Sequence, residues 1–140
     1  MIAYVDASVV LRLILGQPNA LGEWRQIDRG VSSALITVET LRTIDRLRVR
    51  FALDDAEVAM RRAAALSVLA SLELVDFDSA VLDRAAQPMP TDLGTLDAIH
   101  LATALLWQDM TRVELVMATH DRALALGAQA HGLPVVGTAF

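Results

Sequence analysis

Residues 2–10 of this 140-residue chain have the sequence IAYVDASVV, in which an apolar run ends at Asp6 and a second apolar stretch follows at once. A short apolar run bounded by a polar residue predicts a strand that is buried on both faces, and the stretch after it predicts a helix. Asp6 therefore stands at a switch from strand to helix. In parallel α/β sheets, the carboxyl ends of the strands are where ligand sites are built.

The same alternation of short apolar strands and longer helical patterns continues along the chain. Strands are predicted at 2–6, 31–34, 72–77, 113–118 and 135–136. Helices are predicted at 8–15, 19–30, about 34–51, 55–71, 79–86, about 95–109 and 120–131. Strand, crossover helix and strand in succession predict an α/β fold. We expect a single domain over residues 1–140, with a mostly parallel sheet of four to five strands and helices on both faces.

Composition excludes several classes of protein. The chain is 54% hydrophobic and contains no Cys, which excludes disulfides, zinc–thiolate sites and a Cys nucleophile. No apolar run reaches the roughly 18 residues of a membrane span. The first apolar run has no basic residues before it and is broken by Asp6, so a signal peptide is not expected. We therefore expect a soluble, cytoplasmic protein without a membrane partner.

All twelve basic residues are Arg, and the net charge is −5. A Walker P-loop is excluded because it needs a Lys on the phosphates. The acidic balance argues against a non-specific nucleic-acid binder, which is usually basic. It leaves a nuclease possible, since a local group of arginines can still bind phosphates. Arg42, Arg46, Arg48 and Arg50 follow one another closely, and their simplest interpretation is a solvated helix face.

Four acids occupy comparable places at or just after the predicted strand ends: Asp6, Glu39, Asp97 and Asp121. We expect these carboxylates to converge without a basic residue nearby. Carboxylates a few ångströms apart repel one another, and one must take up a proton unless a cation lies among them. Mg²⁺ or Mn²⁺ suits such a set because both prefer oxygen ligands. An open site of this kind suits phosphodiester hydrolysis with water as the nucleophile.

Each acid also has a simpler interpretation when taken alone. Asp6, Asp97 and Asp121 could each be no more than the N-cap of a helix. Glu39 could be an exposed helix residue, although the apolar residues around it suggest that it needs a partner. The joint pattern of four acids favours the functional interpretation for all of them.

Polar residues beside the acids are predicted to support them. Ser8 and Thr119 lie next to Asp6 and Asp121, and we expect their hydroxyls to orient a carboxylate or hold a water. No activating base accompanies either of them, so neither is predicted to be a nucleophile. His100 follows Asp97 by one helical turn and is interpreted as a packing or hydrogen-bonding residue.

Five segments together resemble the PIN domain family, and within it the VapC-type toxins of bacterial toxin–antitoxin pairs. They are YVDASVV at 4–10, SALITVETLR at 33–42, LDAIHLATA at 96–104, ATHDRAL at 118–124 and GLPV at 132–135. The resemblance covers nearly the whole chain, and an acid stands at each family position. Gly94 stands where family members often carry Arg, and the Pro that often ends the last strand is absent.

The resemblance implies an endoribonuclease that depends on Mg²⁺ or Mn²⁺. Its catalytic and metal-binding residues would be Asp6, Glu39, Asp97 and Asp121, supported by Ser8 and Thr119. It also implies an RNA substrate, a homodimer and a small antitoxin protein that covers the active site.

Two other functions stay open on the sequence alone. The first is a non-catalytic interaction module that uses the same fold for antitoxin or dimer contacts. The second is an aspartyl-phosphate phosphatase with Asp6 as the nucleophile, although Ser8 stands where such enzymes carry their second Asp.

Overall fold

The structure, a computed structural model, describes all residues from 1 to 140. The strands are β1 (Ile2–Val5), β2 (Arg29–Ser33), β3 (Glu73–Val75), β4 (Val116–Ala118) and β5 (Val135–Val136). The α-helices are α1 (Ala7–Ile14), α2 (Leu35–Phe51), α3 (Asp55–Ala70), α4 (Ser79–Ala85), α5 (Thr95–Thr111) and α6 (Arg122–Ala130). A short 3₁₀ helix covers Gly22–Gln26.

The five strands form one sheet in the order β3-β2-β1-β4-β5, and every neighbouring pair is parallel. Strand β1 lies at the centre, with Ala3 opposite Gly30 of β2 on one side and opposite Val116 of β4 on the other. The predicted α/β fold with a parallel sheet is therefore confirmed. All strands end at the same edge of the sheet, so the turns after β1, β2 and β4 meet there.

Both faces of the sheet are covered, as the continuous apolar run in β1 predicts. Ala3 and Val5 pack on the side of α1, α2 and α3, whereas Tyr4 packs on the side of α5 and α6. This division follows from the period of two along a strand, which sends successive side chains to opposite faces. Tyr4 is completely buried, so its hydroxyl must find a partner inside the protein.

The helix predicted over 19–30 is wrong. The structure has only the short 3₁₀ helix there, and the chain then enters β2 at Arg29, earlier than predicted. Sheet pairing decides the conformation, because Gly30 lies opposite Ala3 in the parallel ladder. A Cβ atom on Gly30 would lie 2.5 Å from Leu72 Cδ2, so the Leu72 side chain would have to shift to accommodate a larger residue there.

The other elements agree with the prediction to within a few residues at their ends. Asp54 caps α3 by accepting from the Glu57 N–H at 2.8 Å, and Asp78 caps α4 in the same way. The N-cap of α5 is Gly94, which leaves Asp97 inside the first turn. None of the helices is long and apolar enough to cross a membrane.

Candidate active site

The four predicted acids line a single cleft at the carboxyl edge of the sheet. The cleft has a volume of about 460 Å³. Asp6 follows β1, Glu39 lies in the second turn of α2, Asp97 in the first turn of α5, and Asp121 at the start of α6. The rest of the lining is Ala7, Ser8, Leu11, Leu35, Val38, Arg42, Thr43, Arg46 and Leu96. The topology thus brings together acids that are up to 115 residues apart in the chain.

Asp6 is the most buried of these acids, with 6% of its surface exposed. Its Oδ2 atom accepts hydrogen bonds from Ser8 Oγ at 2.5 Å and from Thr119 Oγ1 at 2.9 Å. It also accepts from the Ser8 N–H at 3.3 Å, so Asp6 is the N-cap of α1. All these bonds use one carboxylate oxygen. The cap and the cleft position are therefore compatible roles.

The hydroxyls of Ser8 and Thr119 join two turns of the chain. Ser8 Oγ accepts from the His120 N–H at 2.9 Å, and Thr119 Oγ1 accepts from the Asp121 N–H at 2.9 Å. Each hydroxyl thus donates to Asp6 and accepts from the turn that leads into α6. This is the geometry expected of residues that orient a carboxylate, and their part in catalysis stays a prediction.

Asp121 stands at the open side of the cleft and is exposed. Its Oδ1 atom accepts from the Leu124 N–H at 3.0 Å, which makes Asp121 the N-cap of α6. Asp121 is therefore a helix cap, as its simpler interpretation predicted, and its part in metal binding stays a prediction. The second oxygen has no part in the cap.

A buried chain of hydrogen bonds holds Glu39. The Ser33 N–H donates to the Tyr4 hydroxyl at 3.0 Å, and that hydroxyl is 2.7 Å from His100 Nδ1. His100 Nε2 in turn makes a short hydrogen bond with Glu39 Oε1. His100 is completely buried, whereas Glu39 is only partly buried at the wall of the cleft. The prediction of a hydrogen-bonding His100 and of a partner for Glu39 is borne out by this geometry.

The protons in this chain can be assigned from the bonding. Burial raises the pKa of the Tyr4 hydroxyl far above its ordinary value, so the hydroxyl keeps its proton. It accepts from the Ser33 N–H and can donate to His100 Nδ1, which places the imidazole proton on Nε2, facing Glu39. Burial lowers the pKa of His100, but the hydrogen bond and charge of Glu39, helped by Asp6 and Asp97, outweigh it and raise that pKa overall.

No sequence motif predicted a supporting role for Tyr4. The available signal was a Tyr inside a strand that is buried on both faces, since a buried phenol requires a hydrogen-bond partner. The partner lies 96 residues away on α5, and no local pattern connects the two. Only the packing of α5 against β1 and β2 shows that Tyr4 supports Glu39 through His100.

Asp97 carries the clearest electrostatic effect of the cleft. Its pKa is raised from 3.8 to about 6, first because burial disfavours the carboxylate. The negative charges of Asp121 and Asp6, and then of Glu39, raise it further, while His100 opposes them. Because Gly94 caps α5, the interpretation of Asp97 as an N-cap is wrong. The cluster behaves as predicted for carboxylates that repel one another.

We expect Asp97→Asn to raise the stability of the metal-free protein at neutral pH. The folded state holds a proton on Asp97 up to about pH 6 that the unfolded chain releases near 3.8, so the wild type loses stability as pH rises between these values. The variant avoids this loss. After allowance for solvent screening, its free energy of unfolding should exceed that of the wild type by about 1 kcal/mol above pH 7.

Chemical denaturation in chelator at pH 4 and pH 7.5 measures this difference. The advantage of Asp97→Asn should disappear at pH 4, where the folded wild type is protonated. Asp109→Asn, an exposed acid near the end of the same helix, serves as the control and should show no such dependence on pH. A variant that is less stable than the wild type at pH 7.5 would contradict the repulsion.

The expectation that no basic residue lies near the acids is wrong. Arg42 and Arg46 line the same cleft, and we call this pair the basic wall. They follow Glu39 by three and seven residues, and this helical spacing places all three on one face of α2. Arg48 and Arg50 do not line the cleft. All four arginines are exposed, as the solvated-face interpretation predicts, and Arg42 and Arg46 line the cleft in addition.

The donor set of the cleft suits a hard divalent cation. The four side chains offer only oxygen atoms, and Asp6, Glu39 and Asp121 each use a single oxygen in their hydrogen bonds. Burial and then the neighbouring carboxylates raise the pKa of Asp97, and a cation among the acids would offset the repulsive part of this effect. As the side chains stand, no group of three or more His, Asp or Glu residues is arranged to hold an ion. A cation would have to draw the free oxygens together.

A parallel α/β fold with an acidic cleft at the carboxyl edge of its sheet defines the class of the protein. The model of the PIN domain family matches residues 3–125. The chain therefore belongs to the PIN domain family, as the resemblance predicted.

Two relatives place the chain among the VapC-type members. Ribonuclease VapC46 of Mycobacterium tuberculosis is 36% identical over 137 residues, which cover 95% of each chain. Ribonuclease VapC35, also of Mycobacterium tuberculosis, is 31% identical over 138 residues, which cover 95% of this chain and 94% of the relative. In both cases the likeness extends over nearly the full length.

Proposed function

We propose that the protein is a metal-dependent endoribonuclease that acts in the cytoplasm as the toxin of a toxin–antitoxin pair. The observation that carries the proposal is the single cleft lined by Asp6, Glu39, Asp97 and Asp121, in which burial and then repulsion by the other acids raise the pKa of Asp97. The family and the two relatives named ribonuclease support it. A phosphatase that uses Asp6 as the nucleophile is disfavoured, because Ser8 stands where such enzymes carry their second Asp.

The cleft residues have two kinds of role: the acids would bind the metal ion, and the residues bonded to the acids orient them. Asp6, Glu39 and Asp97 would hold the principal Mg²⁺ or Mn²⁺, and Asp121 would complete the site. The bound ion supplies a nucleophile from water and stabilises the charge on the phosphate. Ser8 and Thr119 fix the orientation of Asp6, while His100 fixes Glu39. No side chain stands out as a general acid, so solvent protonates the leaving oxygen.

Cleavage of a labelled single-stranded RNA with and without metal tests this function. We expect cleavage in Mg²⁺ or Mn²⁺ and none after EDTA, because carboxylates alone would repel the phosphate. Restoring Mg²⁺ in excess should restore the rate, which separates loss of the ion from loss of the fold. Cleavage that persists at full rate in chelator would exclude the metal mechanism.

A small antitoxin protein is the partner that this cleft would accept. A guanidinium can bind two carboxylate oxygens at once, so a partner Arg in the cluster would compete with both metal and RNA phosphate. Expression of the protein alone should therefore slow bacterial growth, and co-expression of the adjacent small gene should restore it. Growth that is unaffected by the active protein would favour the non-catalytic module. The homodimer implied by the resemblance stays a prediction.

A further inference from the structure

A stripe of polar side chains leads from the acidic floor of the cleft along α2. Glu39, Arg42, Thr43 and Arg46 follow the spacing i, i+3, i+4 and i+7, and all four line the cleft. Seven residues of helix span about 10.5 Å. The basic wall therefore begins beside the acids and extends away from them along the helix. An extended polymer bound at the acids could contact both arginines.

The two arginines of the basic wall differ in what they bind. Arg42 Nη1 donates to Asp45 Oδ2 at 3.1 Å, and the same carboxylate receives Arg48 through Oδ1 at 3.0 Å. Arg46 has no acidic partner. Its Nη2 donates to Thr43 Oγ1 at 3.1 Å, and Thr43 donates to the Glu39 carbonyl at 2.8 Å. Arg46 thus reaches back toward the acids with its charge uncompensated.

We propose that Arg46 binds the phosphate next to the one that is cleaved, on an RNA strand that lies along α2. This role of Arg46 rests on the ribonuclease function proposed above, and it adds a contact with the RNA outside the acid cluster. A planar guanidinium matches the oxygens of a phosphate with two parallel hydrogen bonds. Arg42 is the second phosphate contact, and the phosphate must compete with Asp45 for its guanidinium.

Apolar side chains at the same cleft favour unpaired RNA as the ligand. Val38 is 59% exposed and Leu96 is 50% exposed, and both line the cleft beside the acids and the basic wall. Single-stranded RNA presents splayed base faces as well as phosphates, whereas a double helix hides its bases. The cleft offers a surface to each of these groups: acids for the reacting phosphate, the basic wall for its neighbour, and aliphatic side chains for a base.

Arg46→Gln tests the proposal, because the exposed side chain can be changed without disturbing the core. For a single-stranded RNA we expect KM to rise about tenfold, the loss of one charge-assisted contact, with kcat within about twofold. The slope of log KM against log salt should fall by about 0.7, the value for one phosphate contact on a single strand. Hydrolysis of bis(p-nitrophenyl) phosphate, which has no neighbouring phosphate, should fall by less than cleavage of RNA.

Asp45→Asn should change KM for RNA in the opposite direction from Arg46→Gln. It releases Arg42 for the RNA, so KM for RNA should fall while hydrolysis of the small phosphodiester stays the same. Arg50→Gln is the matched control, since Arg50 lies on the same helix, outside the cleft and over the ring of Phe51. It should leave KM for RNA near the wild-type value, which separates a local contact from the net charge.

Binding of labelled RNA to Asp6→Asn protein, with and without Arg46→Gln, separates this proposal from the proposed function. If the unmodified protein cleaves nothing, the function fails, and weaker RNA binding by the double variant still supports the contact. Equal RNA affinity of the two proteins overturns the contact whatever the cleavage result. An Arg46→Gln protein that binds RNA normally but escapes its inhibitor would show that the basic wall is a protein interface, which also overturns it.

Discussion

Asp6→Asn should reduce RNA cleavage by on the order of 10³-fold, the effect of losing a preorganised charge at the reacting centre. Asp6 is held by Ser8 and Thr119 with its carboxylate in the cleft, so the substitution removes charge from a fixed position. Asn can still accept from both hydroxyls through its amide oxygen. The fold should therefore survive, and a thermal melt close to that of the wild type would show this.

Two further comparisons make the result specific. Asp92→Asn changes an exposed acid in the loop before α5 and should leave cleavage unchanged. In cells, the Asp6→Asn protein should be harmless without any partner, whereas Asp92→Asn should slow growth like the wild type. An Asp6→Asn protein that still cleaves RNA or slows growth would remove the acid cluster from the mechanism.

His100→Ala should be the most destabilising substitution near the site, lowering the free energy of unfolding by roughly 3 kcal/mol. It removes the acceptor of the buried Tyr4 hydroxyl, leaves Glu39 Oε1 without its partner and opens a cavity between β1 and α5. For a chain of this size the midpoint of thermal unfolding should fall by about 10 °C. Differential scanning calorimetry in chelator measures both quantities.

Two smaller substitutions separate stability from positioning. His100→Gln keeps a donor near the place of Nε2 and can still hold Glu39. His100→Asn keeps an acceptor near Nδ1 for the Tyr4 hydroxyl but cannot reach Glu39. Both should be destabilised to a similar extent, yet only the Asn variant should lose Mn²⁺ affinity and cleavage, by about 10–100-fold. Equal losses in the two variants would reduce His100 to a packing residue.

The fold was predictable because its signals are local. The run Ile2 to Val5 is apolar on both faces of a strand, and Asp6 marks the switch to a helix, so the central strand and its turn could be placed from residues 2–10. The segment 19–30 was not predictable in the same way. Its helical pattern yields to pairing with β1, in which Gly30 lies opposite Ala3, a residue 27 positions away in the chain.

The residues of the cleft also fall into those that local sequence patterns predict and those that only the packing reveals. The four acids could be named because each follows a recognisable change of pattern, and the basic wall could have been found from its helical spacing to Glu39. The support of Glu39 by Tyr4 and His100 could not, since nothing near Tyr4 in the chain indicates that α5 packs over it. A single sequence shows which residues need partners, and only the packed layers show which partners they receive.

Because β1 lies at the centre of the sheet, the cleft can be completed only late in synthesis of the chain. One neighbour of β1 is complete by residue 33, but the other, β4, ends at Ala118. Thr119, which holds the Asp6 carboxylate, and Asp121 come later still. A nascent chain on the ribosome exposes β1 early and cannot finish the cleft until residues 119–121 have also emerged. Incomplete translation products therefore lack an assembled site.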